Sequence, residues 1–123
     1  MKDAITWFDI PPRIFDRAVK FYSDILGQKI RVGTLMGQKL GFFPMEGKDG
    51  VGGDIVPPVT GYKPCANGIR VYLSCQGIID EVIGRVEKSG GKIVSPKIKI
   101  DDMGWIALIM DTEENIVGLH SFK

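Results

Sequence analysis

The chain has 123 residues, of which 44% are hydrophobic and 25% are charged, as is usual for a single globular domain. Its formal net charge of +1 and its lack of lysine- and arginine-rich runs exclude broad electrostatic attraction to nucleic acid. Residues 1–8 carry neither a signal-peptide pattern nor an apolar stretch of membrane-spanning length. We therefore predict no membrane association and expect a cytoplasmic protein.

The first half of the chain predicts one strand, one helix and three further strands. β-Branched and aromatic residues predict a strand over residues 5–10, which two prolines end because they cannot donate to a β-ladder. Apolar residues at helical spacing predict a helix over residues 13–26, with Gly27 as its stop. Three strands are then predicted over residues 29–32, 38–45 and 51–56.

The second half repeats this order after a proline- and glycine-rich segment over residues 58–67. That segment predicts an extended linker, with a proline-rich ligand for a partner domain as the alternative. A strand over residues 69–75 and a helix over residues 78–89 follow. Strands over residues 92–94, 105–110 and 116–121 complete the half.

Matching sequence marks support an internal duplication of residues 5–56 and 69–121. Gly-Gln-Lys-Ile at 27–30 corresponds to Gly-Gly-Lys-Ile at 90–93, and Met36-Gly37 corresponds to Met103-Gly104. A period near half the chain length indicates a duplicated module rather than a solenoid. We therefore predict an α+β fold of two tandem β-α-β-β-β modules, whose curved mixed sheets surround a cavity with the helices outside. The single domain divides into module 1 at about 3–57, the linker at 58–67 and module 2 at about 68–123.

Three segments carry a resemblance to a known superfamily: RAVKFYSDILG over 17–27, RVEKSGG over 85–91 and DTEENIVGLH over 111–120. With the duplication, they make the chain resemble the vicinal oxygen chelate superfamily, which includes glyoxalase I, bleomycin resistance proteins and extradiol dioxygenases. Within it, the chain is most similar to short bacterial glyoxalase-like proteins. The resemblance implies a homodimer, in which modules pair edge to edge either within one chain or across two.

The resemblance also implies where a divalent metal would lie, because enzymes of this superfamily use one ligand from the first and last strand of each module. In module 1 the first-strand ligand position falls on Trp7, and the last-strand position falls on Gly53 or Asp54, with Asp54 favoured. In module 2 the first-strand position falls on Arg70 or Val71, and the last-strand position falls on Gly118. An indole has no lone pair for a metal, and arginine, valine and glycine side chains do not coordinate one. At most one ligand remains where about three are usual, so we predict no cofactor. The alternative is a divalent metal in a rearranged site.

That rearranged site would use Asp9, Asp54 and His120, the last being the only histidine of the chain. Strand alternation places Asp9 on the same face as Trp7, and His120 on the same face as Gly118. Two carboxylates and one imidazole match a metal site in composition, although not in the spacing of a motif.

The same alternation predicts an amphipathic cavity wall, since polar and aromatic residues share one face of the first strands while Phe8, Ile10, Val71 and Leu73 face the helices. Ser74, Gln38 and Asp54 would complete this wall. The predicted ligand-binding residues are Trp7, Asp9, Arg70, Tyr72, Trp105 and His120. Structural alternatives stay open for each: an internal ion pair of Asp9 with Arg70, a hydrogen-bonded structural His120, and core positions for both tryptophans.

Three classes of function follow. The first is a binding protein that sequesters or senses a small organic, anionic or aromatic molecule without a metal. The second is a metal-dependent enzyme, either lactoylglutathione-lyase-like or dioxygenase-like. The third is a scaffold dimer whose cavity is filled by its own side chains. The two cysteines, Cys65 and Cys75, add no chemistry to these classes, since they lack motif spacing and are interpreted as buried free thiols.

Overall fold

The computed structural model describes residues 2–58 and 61–123 and contains the elements in the predicted order. The elements of the first module are β1 (Trp7–Ile10), α1 (Phe15–Leu26), β2 (Arg31–Leu35), β3 (Gln38–Phe42) and β4 (Gly52–Ile55). Those of the second are β5 (Tyr72–Ser74), α2 (Ile79–Val86), β6 (Lys92–Lys99), β7 (Trp105–Met110) and β8 (Ile116–Ser121). Short 3₁₀ turns over Glu87–Ser89 and Asp101–Met103 follow α2 and β6.

Both modules have the same sheet topology, which confirms the predicted duplication. The strand orders are β1-β4-β3-β2 and β5-β8-β7-β6, so the first strand of each module pairs in parallel with the last. The remaining pairs are antiparallel. Each module is therefore a mixed four-stranded sheet with one helix, and β1 and β5 lie at the sheet edges.

One continuous hydrophobic core joins the two modules. Helices α1 and α2 contact each other, and the Arg85 guanidinium donates a hydrogen bond of 3.2 Å to the carbonyl of Ile25. As predicted, Ile10 and Leu73 face the helices, with 3% and 6% of their surface exposed. No helix of the described residues is long and apolar enough to cross a membrane.

The start of α1 differs from the prediction, and the reason is a contact from the other module. The helix begins at Phe15 rather than near residue 13, and no side chain of its own caps it. Instead, Oε1 of Glu113 accepts the backbone N–H groups of Arg13 at 2.9 Å and Ile14 at 2.7 Å. Free N–H groups at a helix start need an acceptor, and here the acceptor comes from the turn between β7 and β8.

A buried polar network extends this contact. The carboxylate of Glu113 also accepts a hydrogen bond from Arg17 at 2.7 Å, and Asp111 accepts one from the Tyr22 hydroxyl at 2.6 Å. Burial raises the pKa of Asp111, whereas the pKa of Glu113 is lowered because hydrogen bonds from Arg17 and Ile14 outweigh the effect of burial. These residues belong to two of the segments that carry the family resemblance, so those segments hold the modules together.

Several strands also differ from their predicted bounds. β2 runs over Arg31–Leu35 rather than 29–32, and β3 ends at Phe42 rather than at residue 45. β6 extends to Lys99, and its register shifts against β7 on either side of Ser95 accommodate Pro96, which has no N–H to donate and lies in an edge strand. β5 is shorter than predicted and begins only at Tyr72, with Ile69 fully exposed before it.

Candidate functional site

The strand register sets which residues of the first and last strands lie side by side. In the first module Trp7 is opposite Gly52, and in the second Tyr72 is opposite Gly118. The register thus places Gly52 beside Trp7, where the sequence expectation for the last strand was Gly53 or Asp54. It places Tyr72 beside Gly118, where the expectation for the first strand was Arg70 or Val71.

Aromatic rings lie across both of these glycines. A Cβ atom added to Gly52 would lie 2.9 Å from Cζ3 of Trp7, and one added to Gly118 would collide with the ring of Tyr72. The Trp7 ring also meets Phe42 edge-on, with the ring centroids 6.2 Å apart. Glycine at these last-strand positions thus leaves room for the rings of the first strands.

Two residues beyond Trp7, the same register brings two carboxyl groups together. Asp9 of β1 lies opposite Asp54 of β4. Asp54 is only 4% exposed, and its Oδ1 accepts no hydrogen bond from the described part of the chain. Burial raises the pKa of Asp54 to about 7, the neighbouring Asp9 carboxyl adds to the shift, and the Trp7 indole opposes it. The sequence analysis named both acids but did not predict that they adjoin each other.

Asp9, the exposed member of the acid pair, lines a cleft of about 490 Å³ between β1 and the segment leading into β5, and the buried Asp54 is not part of that lining. Trp7 and Asp9 line one side, Ile69 and Arg70 line the other, and Tyr62 enters from the linker. The Tyr62 hydroxyl donates a hydrogen bond of 3.2 Å to the carbonyl of Asp9. The fold therefore brings together three of the six predicted ligand residues, namely Trp7, Asp9 and Arg70.

The other three predicted residues lie elsewhere. Tyr72 lines a smaller neighbouring pocket of about 260 Å³, together with Ser74. His120 pairs with Ser74 in the register of β5 with β8, and its Nε2 atom lies 2.7 Å from the carbonyl oxygen of Met103. This contact matches the structural alternative for the histidine.

Trp105 has the opposite orientation to the one predicted. It pairs with the buried Ser121, and it packs against the hydrophobic core with Lys97 over its ring at 4.7 Å. The residue opposite His120 is Ile106, just as Phe42 is opposite Asp54. This correspondence matches Trp105 with Gly41 rather than with Gln38, a displacement of three residues. In a strand, a displacement by an odd number of residues exchanges the two faces.

The proposed ion pair of Asp9 with Arg70 is also absent. Both residues line the cleft, but in residues 2–58 and 61–123 neither takes part in a salt bridge.

Both cysteines are free, as expected, although Cys65 is exposed and only Cys75 is buried. Burial raises the pKa of Cys75 to about 11, which makes it unreactive at neutral pH.

Comparison with known proteins places this arrangement among solved structures. No protein-family model and no curated protein matches the sequence. A glyoxalase/bleomycin resistance protein from Albidiferax ferrireducens T118 is 15% identical and has a TM-score of 0.74, over 97% of this chain and 98% of that one. A glyoxalase-related enzyme from Fulvimarina pelagi has 11% identity and a TM-score of 0.67, over 98% and 88%. The fosfomycin resistance protein FosX from Listeria monocytogenes has 15% identity and a TM-score of 0.66, over 98% and 94%.

The chain has the fold of these glyoxalase/bleomycin resistance structures. At these identities the similarity establishes the fold, and it confirms the resemblance predicted from the three sequence segments. A mutant of FosX has been solved with Mn(II) and 1S,2S-dihydroxypropylphosphonic acid, so metal and ligand occur together on this fold in that protein.

The residues at the corresponding positions of this chain do not fit a divalent ion. The resemblance places these positions on the first and last strands, where Trp7 lies beside Gly52 and Tyr72 beside Gly118. An indole and two glycines offer no ligand atom, and the one phenol covers a glycine that has no side chain to join it.

The rearranged site is not assembled within one chain either. Asp9 and Asp54 adjoin each other in the first sheet, whereas His120 belongs to the second. Among the residues that the structure describes, no three histidine, cysteine, aspartate or glutamate side chains converge. The predicted trio of Asp9, Asp54 and His120 is therefore corrected to a pair of carboxyl groups.

Proposed function

We propose that this chain is a small-molecule-binding protein with a degenerate metal site, which sequesters or senses a small organic ligand. The observation that carries the proposal is the cleft beside β1, where the Trp7 indole, the Arg70 guanidinium and the Asp9 carboxyl group meet. Its volume of about 490 Å³ lies within the usual range for ligand pockets, about 300–1,000 Å³. We propose the cytoplasm as its compartment, in keeping with two free cysteines.

The side chains of the cleft suggest a ligand with a flat apolar part and an anionic group. Trp7 is 44% exposed and offers ring surface, which contributes affinity at little entropic cost. Arg70 is exposed at the same cleft, and a guanidinium forms paired hydrogen bonds with carboxylate or phosphonate oxygens.

We further propose a homodimer. The edge strands β2 and β6, away from the cleft, carry exposed apolar side chains, with Leu35 54% and Ile98 48% exposed. Apolar groups of this size along open sheet edges are typical of surfaces that another chain covers. Sedimentation velocity at micromolar concentration measures the assembly directly.

Fluorescence of Trp7 tests the binding function. Because the chain has two tryptophans, Trp105→Phe leaves Trp7 as the only indole. We expect aromatic carboxylates to quench the fluorescence of this variant with saturation. Trp7→Phe is the matched control, since its remaining Trp105 packs against the core and should not respond. No saturable change in Trp105→Phe across a ligand library would contradict the proposal.

A metal-dependent glyoxalase-like lyase, isomerase or dioxygenase is the second candidate, and the Asp9–Asp54 pair is the observation that favours it. We nevertheless expect the purified protein to hold well under one equivalent of zinc, nickel, iron or manganese, because the corresponding positions lack ligand atoms. Elemental analysis after dialysis measures this content. A stoichiometric ion that is retained by the native chain and lost in Asp54→Asn would establish the second candidate instead.

A further inference from the structure

Arg31 of β2 lies over an aromatic ring on the face of the first sheet that is turned away from α1. Its guanidinium carbon is 4.5 Å from the ring centroid of Phe42, its register partner on β3. The adjacent Gly41 lies against Val19 of α1, so Phe42 and Arg31 are on the opposite face. The ring thus gives the guanidinium a defined position on the face that α1 leaves free.

Gly33 makes room for this contact. A Cβ atom added to Gly33 would lie 3.0 Å from Nη1 of Arg31 and 3.2 Å from Cε2 of Phe42. The φ of Gly33 is not positive, so the backbone here does not itself require glycine. What glycine provides at this position is therefore the space in which the guanidinium lies beside the ring.

The charge of Arg31 has no partner of opposite sign. Two other cations of the described residues lie over rings, and each has a carboxylate within salt-bridge distance: Lys39 has Asp16 at 3.7 Å, and Lys97 has Asp80 at 2.8 Å. In the described ranges Arg31 takes part in no salt bridge, and Phe42 separates it from Asp54 in the register. Its charge is therefore available to an anion from outside the chain.

Arg31 lines a cavity of about 820 Å³, which we call the Arg31 cavity. The loop between β3 and β4 contributes Met45 to it, and the turn between β5 and α2 contributes Ile78. Among the described residues, Trp7 alone lines both this cavity and the cleft beside β1. The Arg31 cavity is thus a separate site, and its size is usual for a ligand pocket.

The apolar wall of the Arg31 cavity is flat and exposed. A Cβ atom added to Gly52 would lie 2.9 Å from the Trp7 ring and 2.6 Å from Sδ of Met45, so both side chains lie over this glycine. Trp7 is 44% exposed and Met45 43%. The Phe42 ring connects this surface to Arg31, since it meets the Trp7 ring edge-on at 6.2 Å. The flat surface and the cation are therefore close enough for a ligand of two fused rings to contact both.

The charged side chains of the Arg31 cavity favour an anion. Lys29 lines it together with Arg31, against one acid, Glu46. Within residues 2–58 and 61–123, none of these three forms a salt bridge. The lining therefore has an excess of positive charge that the described residues do not neutralise.

We infer that the Arg31 cavity is a second binding site, which takes a flat aromatic carboxylate of two fused rings. The rings pack against Trp7 and Met45, and the carboxylate accepts paired hydrogen bonds from Arg31. A guanidinium presents its N–H groups as a planar fork that matches a carboxylate, and stacking on Phe42 reduces the freedom that it loses on binding. This site is additional to the cleft beside β1, whose guanidinium is Arg70.

Three probes with the same carbon frame separate charge from flatness. 2-Naphthoate is flat and anionic, 2-naphthamide is flat and neutral, and decalin-2-carboxylate is anionic but not flat. By titration calorimetry at neutral pH, we expect 2-naphthoate to bind about tenfold or more tightly than either of the others. Titrations in the variant Arg70→Leu, which lacks the guanidinium of the cleft, report the Arg31 cavity alone, and the preference should persist there.

Substitution of Arg31 identifies the cation. In the Arg70→Leu background, Arg31→Leu should remove the advantage of 2-naphthoate over 2-naphthamide. Lys39→Leu in the same background is the matched control, because Lys39 is also an exposed cation over a ring of this sheet, but one that has Asp16 as its partner. It should leave the preference unchanged.

Gly33→Ala tests the position of the guanidinium without removing its charge. The new Cβ atom would displace the flexible end of Arg31 from the ring, so we expect 2-naphthoate to bind about threefold or more weakly and 2-naphthamide to bind as before. Gly84→Ala is the matched control, since Gly84 is an exposed glycine with no atom within 4 Å of an added Cβ. Thermal unfolding of both variants confirms that they fold.

The outcomes separate this site from the cleft. If 2-naphthamide binds as tightly as 2-naphthoate, or if Arg31→Leu leaves the preference intact, the inference is wrong. If Arg70→Leu alone removes the preference, the acid occupies the cleft, so the inference is wrong while the proposed binding function stands. If no probe binds at millimolar concentration, the second site does not exist, and the response of Trp7 fluorescence to the ligand library decides the binding function separately.

Discussion

Replacing Glu113 by alanine is expected to lower the free energy of unfolding by about 3 kcal/mol. The Glu113 carboxylate is fully buried and accepts hydrogen bonds from Arg17 and from two backbone N–H groups at the start of α1. Its removal leaves those N–H groups without an acceptor and opens a space between the modules. Urea unfolding followed by circular dichroism at pH 7 measures the loss.

The neighbouring residue is the matched control. Glu114 also pairs with an arginine, Arg13, at 3.2 Å, but its side chain is 64% exposed. Exposed ion pairs contribute little, so Glu114→Ala should change the free energy of unfolding by less than about 0.5 kcal/mol. Equal effects of the two substitutions would contradict a central role for the buried carboxylate.

The effect of Glu113 also depends on pH in a known direction. Its pKa is lowered in the folded state, because hydrogen bonds from Arg17 and Ile14 outweigh burial. Its contribution is therefore present above the unfolded pKa and is lost as the pH falls through the folded pKa. The difference between the native chain and Glu113→Ala should shrink in acid.

Replacing Asp54 by asparagine should have the opposite sign and stabilise the protein at pH 8 by on the order of 2–3 kcal/mol. The pKa of Asp54 is about 7 in the folded state, raised by burial and by Asp9 from an ordinary value of 3.8. Between those two values the unfolded chain releases this proton while the folded chain keeps it. The stability of the native protein therefore falls as the pH rises from about 4 to 7. Asparagine has no proton to release and avoids that loss.

Free energies of unfolding at pH 4, 6 and 8 test this expectation. The two proteins should be nearly equal at pH 4, and the variant should gain stability over the native chain as the pH rises. Asp49→Asn removes an exposed acid from a loop and should follow the native chain at every pH. Parallel curves for Asp54→Asn and the native protein would show that Asp54 ionises normally.

Local patterns in the sequence were sufficient to predict the elements and their duplication. Apolar spacing defined both helices, and Gly27 ends α1 with a positive φ of 67°, a conformation that glycine adopts without strain. The bounds of β7 and β8 were predicted to the residue, because each has a clear alternation or apolar run between turn residues. The three family segments then indicated the fold, and the solved structures confirmed it.

The candidate site was predictable only in part, because it depends on register. Which residue of β4 lies beside Asp9, and which face of β7 holds Trp105, follow from turn geometry and from packing between strands. A displacement by an odd number of residues places Trp105 on the core side rather than on the predicted cavity wall. No local sequence pattern indicates that Asp9 and Asp54 are neighbours on parallel strands, because they come from opposite ends of module 1.

Tertiary structure alone decided the role of Glu113. Its hydrogen bond to Arg17 joins residues 96 positions apart, and an isolated Thr-Glu-Glu turn is typical of exposed loops. Burial of that turn against α1 makes its carboxylate the cap of a helix in the other module. The sequence by itself determined the elements and their repeated order, because these depend on neighbouring residues. The acid pair, the cleft and the helix cap between the modules depend on how distant segments pack, and only the folded chain sets that.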